Sequence, residues 1–218
     1  MRQDRERLCD RVVILRAGAA ALAISLLAQS GAWAAPRLGT DVRPASLAVA
    51  LDLDPSRTGY TGTLRAEIEV ATPVDSFRLH ARELTVTAAR LRGPAGESPA
   101  RVEKIGNDQI AIIPASPLAP GHYTLVLEFR NEYSRRATAL YRVETGGHSY
   151  LFTQFEATEA RAAFPCWDEP EFKIPWQLTL TVPSDQMAVS NTPIERETAT
   201  GKDRKTVVFR RTRPLPSY

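Results

Sequence analysis

Apolar and polar residues alternate with a period of two through most of the chain beyond residue 36, and this pattern constrains the fold more than any other feature. Successive side chains of a strand point to opposite faces, so the alternation predicts strands with one buried face. "YTGTLRAEIEV" at Tyr60–Val70 and "HYTLVLEF" at His122–Phe129 are clear examples. The same pattern predicts further strands at Ser46–Asp54, Ser76–Ala81, Leu84–Leu91, Gln109–Ala115, Pro175–Pro183, Met187–Asn191 and Lys205–Thr212.

Turn-forming residues separate these strands, and helical composition is rare. Breaks such as Gly93–Gly96 and Pro117–Gly121 combine glycine and proline, which favour turns. Only Ala157–Ala163 has the composition of a helix, and its length allows about two turns. Short strands with frequent turns are typical of all-β proteins. We therefore predict an all-β fold, either a large curved antiparallel sheet or a sandwich.

The first 34 residues have the features of a secretory signal peptide. Basic residues precede an uncharged run at Ala17–Ala28, and Ala32–Ala34 has the A-x-A pattern of a cleavage site. The apolar run is shorter than the ~20 residues that span a bilayer, so we expect a membrane connection only through an uncleaved signal. The sequence thus predicts a signal peptide at 1–34, one domain at 36–218, and a secreted or periplasmic location.

Charge and cysteine content argue against a nucleic-acid-binding protein and against a disulfide-bonded one. Five of the 28 Lys and Arg residues and three of the 25 Asp and Glu residues lie within the first 34, so the remainder is nearly neutral. Arg135-Arg136 and Arg210-Arg211 are isolated pairs without a basic stripe, and we predict no nucleic-acid partner. Cys166 is the lone cysteine after the signal, which excludes an intramolecular disulfide and predicts a small buried apolar residue.

One stretch departs from the alternating pattern, "LFTQFEATEARAAFPCWDEPEFK" at Leu151–Lys173. If a strand continues through Gln154 and Glu156, their side chains point to one face while Phe155 points to the core. A carboxylate and an amide oxygen on one face can both accept hydrogen bonds from an ammonium group. By itself, however, a Gln-x-Glu pattern is more typical of the solvated end of a strand.

The wider motif carries a family resemblance. "TQFEATEARAAFPCWDEP" at Thr153–Pro170, with "SNTP" at Ser190–Pro193, closely resembles the N-terminal domain of the aminopeptidase N family of zinc metallopeptidases. "LHARELTV" at Leu79–Val86, "ALYRVETGG" and "FRRTRPLPSY" extend the likeness across almost all of the chain after the signal. The resemblance implies that residues 36–218 form an aminopeptidase N-type N-terminal β domain.

The resemblance also assigns roles to residues. It implies that Glu156 binds the free ammonium of a peptide's amino end and that Gln154 belongs to the same substrate-binding subsite. The peptide N-terminus is therefore the expected partner. The residues themselves favour structural roles for Arg161, as an ion-pair partner, and for Asp168-Glu169, in capping and turns. Trp167 is expected to be a large apolar plug.

Pro175 stands where relatives mostly continue into a strand. Proline cannot donate a hydrogen bond to a neighbouring strand, so it is confined to strand starts and sheet edges. We therefore expect the strand that follows Pro175 to start late or to lie at an edge.

The catalytic features of the family are not recognisable. Family members hold zinc with a helical His-Glu-x-x-His pair and a later glutamate, but His80, His122 and His148 include no pair at i, i+4 spacing. The family's Gly-x-Met-Glu-Asn motif is also missing, because Met187 lies in "QMAVS". We therefore expect no catalytic residue and no metal ligand in this chain, with zinc in the full-length enzyme and a catalytic domain that is missing or separate.

These observations predict the substrate-amine-binding domain of an exported zinc aminopeptidase, inactive by itself and belonging to a truncated or fragmentary enzyme. One alternative is a free-standing, non-catalytic periplasmic β module that binds peptides or a protein. Another is a chain that assembles non-covalently with a separately encoded catalytic subunit.

Overall fold

The computed structural model describes residues 37–218, so the predicted signal peptide at 1–34 lies outside the described residues. The described part contains twelve strands and one short 3₁₀ helix. The strands are β1 Val42–Asp52, β2 Gly59–Val70, β3 Phe77–His80, β4 Thr85–Gly93, β5 Gly96–Ile105, β6 Gln109–Pro114, β7 Gly121–Glu132, β8 Ala139–Thr145, β9 His148–Gln154, β10 Trp176–Pro183, β11 Ile194–Ala199 and β12 Arg204–Phe209; the 3₁₀ helix is Ala160–Ala162. No helix among residues 37–218 has the length and apolar character required to cross a bilayer.

Ten strands form one large sheet, in the order β11-β12-β10-β1-β2-β7-β4-β5-β6-β3, and β8 and β9 form a separate hairpin. The all-β prediction is confirmed. The sheet is mixed rather than purely antiparallel, because β1 and β10 pair in parallel, with Leu47 opposite Trp176. A parallel pair requires a long crossover connection, and the chain between these two strands includes six other strands of the large sheet and the hairpin.

The predicted strand at Met187–Asn191 is wrong. This segment has no regular structure, and the side chains of Met187 and Val189 are 86% and 74% exposed. Strands β5 and β11 were not predicted because they lack an apolar face: every residue of β11 is exposed, and no residue of β5 is fully buried. The remaining predicted strands are present, with ends that differ by a few residues.

The core lies against one face of the central strands β2 and β7. Leu64 and Ala66 of β2 stand opposite Leu127 and Leu125 of β7, and all four side chains are fully buried. Burial of one leucine side chain contributes roughly 1.5–3 kcal/mol relative to exposure. The apolar positions of the alternating pattern therefore correspond to the buried face of these strands.

Gly62 of β2 illustrates how closely the central strands are packed. A Cβ atom added there would lie 2.5 Å from the ring of Phe129 and 2.8 Å from Leu51. We expect Gly62→Ala to lower the free energy of unfolding by about 1–3 kcal/mol through overpacking. The matched control is Gly39→Ala at an exposed position, which should change stability by about 0.5 kcal/mol or less. Urea unfolding of both variants tests this, and equal effects would contradict it.

Candidate functional site

The β8–β9 hairpin places Gln154 at the open end of a two-stranded ribbon. Its turn consists of Gly146 and Gly147, both with positive φ, a conformation that glycine adopts readily in tight hairpins. The register runs from Thr145 opposite His148 to Ala139 opposite Gln154. The turn therefore fixes which residue ends the ribbon.

Gln154 and Glu156 are both exposed, and Phe155 between them is half-buried. The ring of Phe155 packs edge-on against Phe164, with ring centroids 5.6 Å apart. The backbone N–H of Glu156 donates to Oε1 of Gln154 at 3.4 Å, and the Glu156–Ala157 peptide bond is cis. Within residues 37–218, the Glu156 carboxylate has no cation within ion-pair distance. The alternation expected from the sequence is thus present, although β9 already ends at Gln154.

Two strands of the large sheet hold the segment that follows Glu156. Tyr60 of β2 donates its hydroxyl hydrogen bond to the carbonyl of Ala163 at 2.7 Å. Asn131 of β7 donates from Nδ2 to the carbonyl of Ala162, also at 2.7 Å. Burial raises the pKa of Tyr60, so the phenol keeps its proton for this bond. The helix predicted at Ala157–Ala163 is reduced to a single 3₁₀ turn.

Arg161 and Asp168 form a buried ion pair beneath the same segment. Arg161 Nε donates to Asp168 Oδ2 at 2.9 Å, its backbone N–H reaches the same oxygen at 3.3 Å, and its Nη2 donates to the Asp168 carbonyl at 2.9 Å. Ser217 donates from Oγ to Asp168 Oδ1, and Glu169 Oε1 accepts from the backbone N–H of Leu38 at 2.7 Å. The predicted structural roles of these three charged residues are confirmed.

Glu159 also binds neighbouring side chains, through its Oε2 atom. Thr138 donates to its Oε2 at 2.6 Å and Arg82 donates to the same oxygen at 2.5 Å. The Thr138 hydrogen bond, together with Arg82, lowers the pKa of Glu159 and keeps it ionised. Glu156 is therefore the carboxylate of this segment that is open to an external cation, whereas Glu159 and Asp168 bind neighbours of their own.

Trp167 and Cys166, near the end of the Thr153–Pro170 motif, are buried in the core. Trp167 is 1% exposed and its ring stacks on Phe77 at 6.4 Å between centroids, as expected for an apolar plug. Cys166 is buried, and burial raises the pKa of its thiol. β10 starts after Pro175, which confirms the late start, but β10 lies between β1 and β12 and is not an edge strand.

The described residues do not fit a zinc site. No group of three or more His, Cys, Asp or Glu side chains within residues 37–218 is placed to hold a metal ion. His80 is 3% exposed and its Nδ1 accepts a hydrogen bond from the backbone N–H of Asp168 at 3.3 Å. His122 and His148 are exposed on other strands.

Gln154 lines a cleft of about 560 Å³, and Glu156 is not among its wall residues. Its lining includes the aromatic residues Phe155, Phe164 and Trp176 and polar residues such as Thr192. The structure thus brings Gln154 and Glu156 to neighbouring positions, and Gln154 is the one of the two that lines this cleft.

Comparison with known families assigns this domain. A family model described as the peptidase M1 N-terminal domain matches residues 43–218. The chain belongs to the peptidase M1 family. The match concerns the N-terminal domain only, and it confirms the resemblance to aminopeptidase N.

Curated relatives of this peptidase M1 chain are aminopeptidases. Aminopeptidase M1-A of Oryza sativa subsp. japonica is 35% identical over 169 residues, covering 73% of this chain and 19% of the relative. Glutamyl aminopeptidase of Sus scrofa is 30% identical over 202 residues, covering 87% of this chain and 21% of the relative. Aminopeptidase N of Acetobacter pasteurianus is 28% identical over 190 residues, covering 85% of this chain and 53% of the relative. The matched region spans about a fifth of the first two relatives and about half of the third.

Sequence reasoning missed several residues that shape the site. The β8–β9 hairpin could have been found from Gly146-Gly147, because two glycines between alternating flanks are a strong hairpin signal. Thr138 and Ser217 hold Glu159 and Asp168. No local pattern in the sequence marks these two hydroxyl groups.

Proposed function

We propose that residues 36–218 form the substrate-amine-binding domain of an exported zinc aminopeptidase of the peptidase M1 family. Glu156 accepts hydrogen bonds from the ammonium group at a peptide's amino end, and Gln154 supplies a second acceptor in the same subsite. The observation that carries the proposal is the exposed Glu156 carboxylate next to Gln154, with no cation among residues 37–218 within ion-pair distance of it.

The chemistry of this pair suits a peptide amino terminus. An α-amino group has a pKa of about 7.7–8.0, so most of it is protonated at pH 7. Hydrogen bonds that involve a charged group contribute about 1.5–3 kcal/mol each. The anchored Phe155 restricts the backbone between the two acceptors, which reduces the entropy that binding would otherwise cost.

Hydrolysis is not assigned to residues 37–218, because they offer no set of metal ligands. This chain alone does not hydrolyse peptides in our proposal, and zinc belongs to the catalytic domain of the complete enzyme. The partners are thus a peptide N-terminus and that catalytic domain. Export depends on residues 1–34, which carry the features of a signal peptide.

Replacing the carboxylate tests the amine-binding role. We expect Glu156→Gln to weaken the binding of free-amine peptides by about tenfold or more, since one charge-assisted bond is lost. Binding of the same peptides after N-acetylation should be weak and should not depend on the substitution. Isothermal titration calorimetry measures both.

The matched control is Glu69→Gln, which removes an exposed carboxylate on β2. This variant should bind free-amine peptides as the unmodified chain does. If Glu156→Gln binds free-amine peptides as tightly as the unmodified chain does, the amine-binding role is excluded.

A free-standing module that binds a protein partner is the second candidate. It is favoured by apolar side chains that remain exposed in the described residues: Tyr150 and Phe152 are 44% and 49% exposed, and Met187 and Val189 are more so. A partner held by this surface would bind the Glu156→Gln variant as tightly as the unmodified chain. Co-purification from the native compartment with both forms distinguishes the two functions.

A further inference from the structure

The outer edge of β9 presents backbone groups that have no backbone partner in the part of the chain that the structure describes. Thr145 and His148 flank a two-residue turn, so they form a hydrogen-bonded pair and the pairs alternate from there. Ser149, Leu151 and Thr153 fall on the alternate positions, and their N–H and C=O groups point away from β8. Among residues 37–218, none of these three forms a backbone hydrogen bond with another segment.

The outer edge of β8 confirms this alternation. Leu140 and Arg142 stand opposite Thr153 and Leu151 in the register. The carbonyl of Leu140 accepts from the N–H of Ser134 at 2.9 Å, and the N–H of Arg142 donates to the carbonyl of Ser134 at 3.2 Å. Both residues thus point away from β9, as the alternation requires. The edge of β8 is thus paired with Ser134 at Leu140 and Arg142, whereas the edge of β9 has no such partner among residues 37–218.

An apolar groove of about 530 Å³ accompanies the open edge. Residues 150–153 and residues 186–191 both line it. Leucine side chains of β1 and β10, including Leu51 and Leu180, also line it. Residues 187–191 contain no regular structure, whereas residues 150–153 belong to β9, which is paired with β8 on one edge only.

We propose that an extended peptide adds to the edge of β9 as an antiparallel strand, with its amino end at Glu156. The proposal rests on the amine-binding role of Glu156 and extends it along the peptide. β9 runs from His148 towards Glu156, so a peptide anchored there by its ammonium must run in the opposite direction along the strand. Strand addition uses main-chain hydrogen bonds, which are independent of the peptide's sequence.

The geometry sets the length of the preferred ligand. The edge from Ser149 to Thr153 spans about 13 Å at a rise of roughly 3.3 Å per residue. Glu156 lies three residues further along the chain. An extended peptide of about seven residues reaches from the carboxylate to the end of the edge, whereas a dipeptide meets only the amine subsite.

Backbone methylation of the ligand is the decisive test. A free-amine heptapeptide with a C-terminal fluorophore is titrated with the full chain, and single N-methyl groups are placed at each internal amide. We expect every second methyl group to weaken binding by about tenfold or more, and the intervening ones to have little effect, because alternate amides face β9. A uniform response, or none, overturns the strand addition.

A substitution on the protein side provides a second measurement. Thr153→Pro removes an outward N–H, and proline is tolerated where an edge N–H faces away from its neighbour. Its binding of the unmethylated heptapeptide should fall by about tenfold relative to the matched variant Thr153→Val, which keeps the N–H group. Equal binding by the two variants contradicts the proposal. If Thr153→Pro does not fold, strand addition is tested by the methylation series on the unmodified chain alone.

The outcomes separate this inference from the proposed function. If N-acetylation weakens peptide binding but the effect of N-methylation does not alternate along the peptide, the amine subsite is supported and the added strand is refuted. If the effect of N-methylation alternates along the peptide but N-acetylation does not change binding, the added strand is supported and the amine anchor at Glu156 is refuted. A dimer at micromolar concentration that Thr153→Pro abolishes, with no peptide binding, means that a second copy occupies the edge and refutes the peptide as its ligand.

Discussion

Replacing Asp168 with alanine is expected to lower the free energy of unfolding by about 3–5 kcal/mol, because the buried Arg161 guanidinium then keeps only the partly exposed Asp108, at 3.5 Å, as an ion-pair partner. The side chains of Asp168 and Arg161 are 1% and 7% exposed, so little solvent can replace the lost bond. The variant also removes the acceptor for the backbone N–H of Arg161 and for Ser217 Oγ. The segment between Glu156 and Asp168 therefore loses these side-chain bonds and keeps the backbone hydrogen bonds between Cys166 and His80.

A matched exposed pair provides the control. Arg92 and Glu97 are 2.9 Å apart, with side chains 62% and 40% exposed. Arg92→Ala should cost about 1 kcal/mol or less, since exposed ion pairs contribute little. Chemical unfolding of both variants, followed by tryptophan fluorescence, gives the two values. A loss for Asp168→Ala as small as that for Arg92→Ala would show that the buried pair is not required for stability.

How much of the fold could be predicted depends on which strands have a buried face. β2 and β7 were recognised because one face of each packs into the core, which leaves alternation in the sequence. β11 has no buried residue and therefore no apolar signal. The parallel pairing of β1 with β10 is a matter of topology, which depends on contacts between residues more than a hundred positions apart.

The candidate site divides in the same way. The exposure of Gln154 and Glu156 and the anchoring of Phe155 follow from local alternation, and the structure agrees with both. The groups that hold the segment could not be found locally. Tyr60 lies 103 positions from the carbonyl it binds, and Ser217 lies 49 positions from Asp168. Such contacts are fixed by the assembled sheet rather than by any motif.

His80 should make this domain sensitive to mild acid. Burial, followed by the positive charge of Arg161, lowers the pKa of His80 to about 4, while Asp168 and Asp108 oppose the shift. The Oε1 atom of Glu169 lies 4.0 Å from its Nε2. Nδ1 accepts a hydrogen bond from the backbone N–H of Asp168, which requires the unprotonated ring nitrogen. The native state therefore holds His80 neutral in the network that anchors Asp168.

The direction of the pH effect follows from proton uptake. An unfolded histidine protonates near its ordinary pKa of about 6.5, whereas native His80 does not until about pH 4. The contribution of His80 is complete above pH 6.5 and is lost as the pH falls towards 4. Each pKa unit corresponds to about 1.4 kcal/mol, so the unfolding free energy should fall by about 2–3 kcal/mol between pH 6.5 and 4.5. Asp54 and Glu159, whose pKa values are lowered, lose their contributions at lower pH.

Two histidine variants test this assignment. His80→Asn keeps a hydrogen-bond acceptor near the position of Nδ1 but does not titrate, so its stability should be nearly constant between pH 6.5 and 4.5. His148→Asn changes an exposed histidine on β9 and should retain the full pH dependence of the unmodified chain. Urea unfolding at several pH values measures each slope. If the unmodified chain is equally stable at pH 6.5 and 4.5, or if His80→Asn keeps the same slope, buried neutral His80 is not the acid-sensitive group.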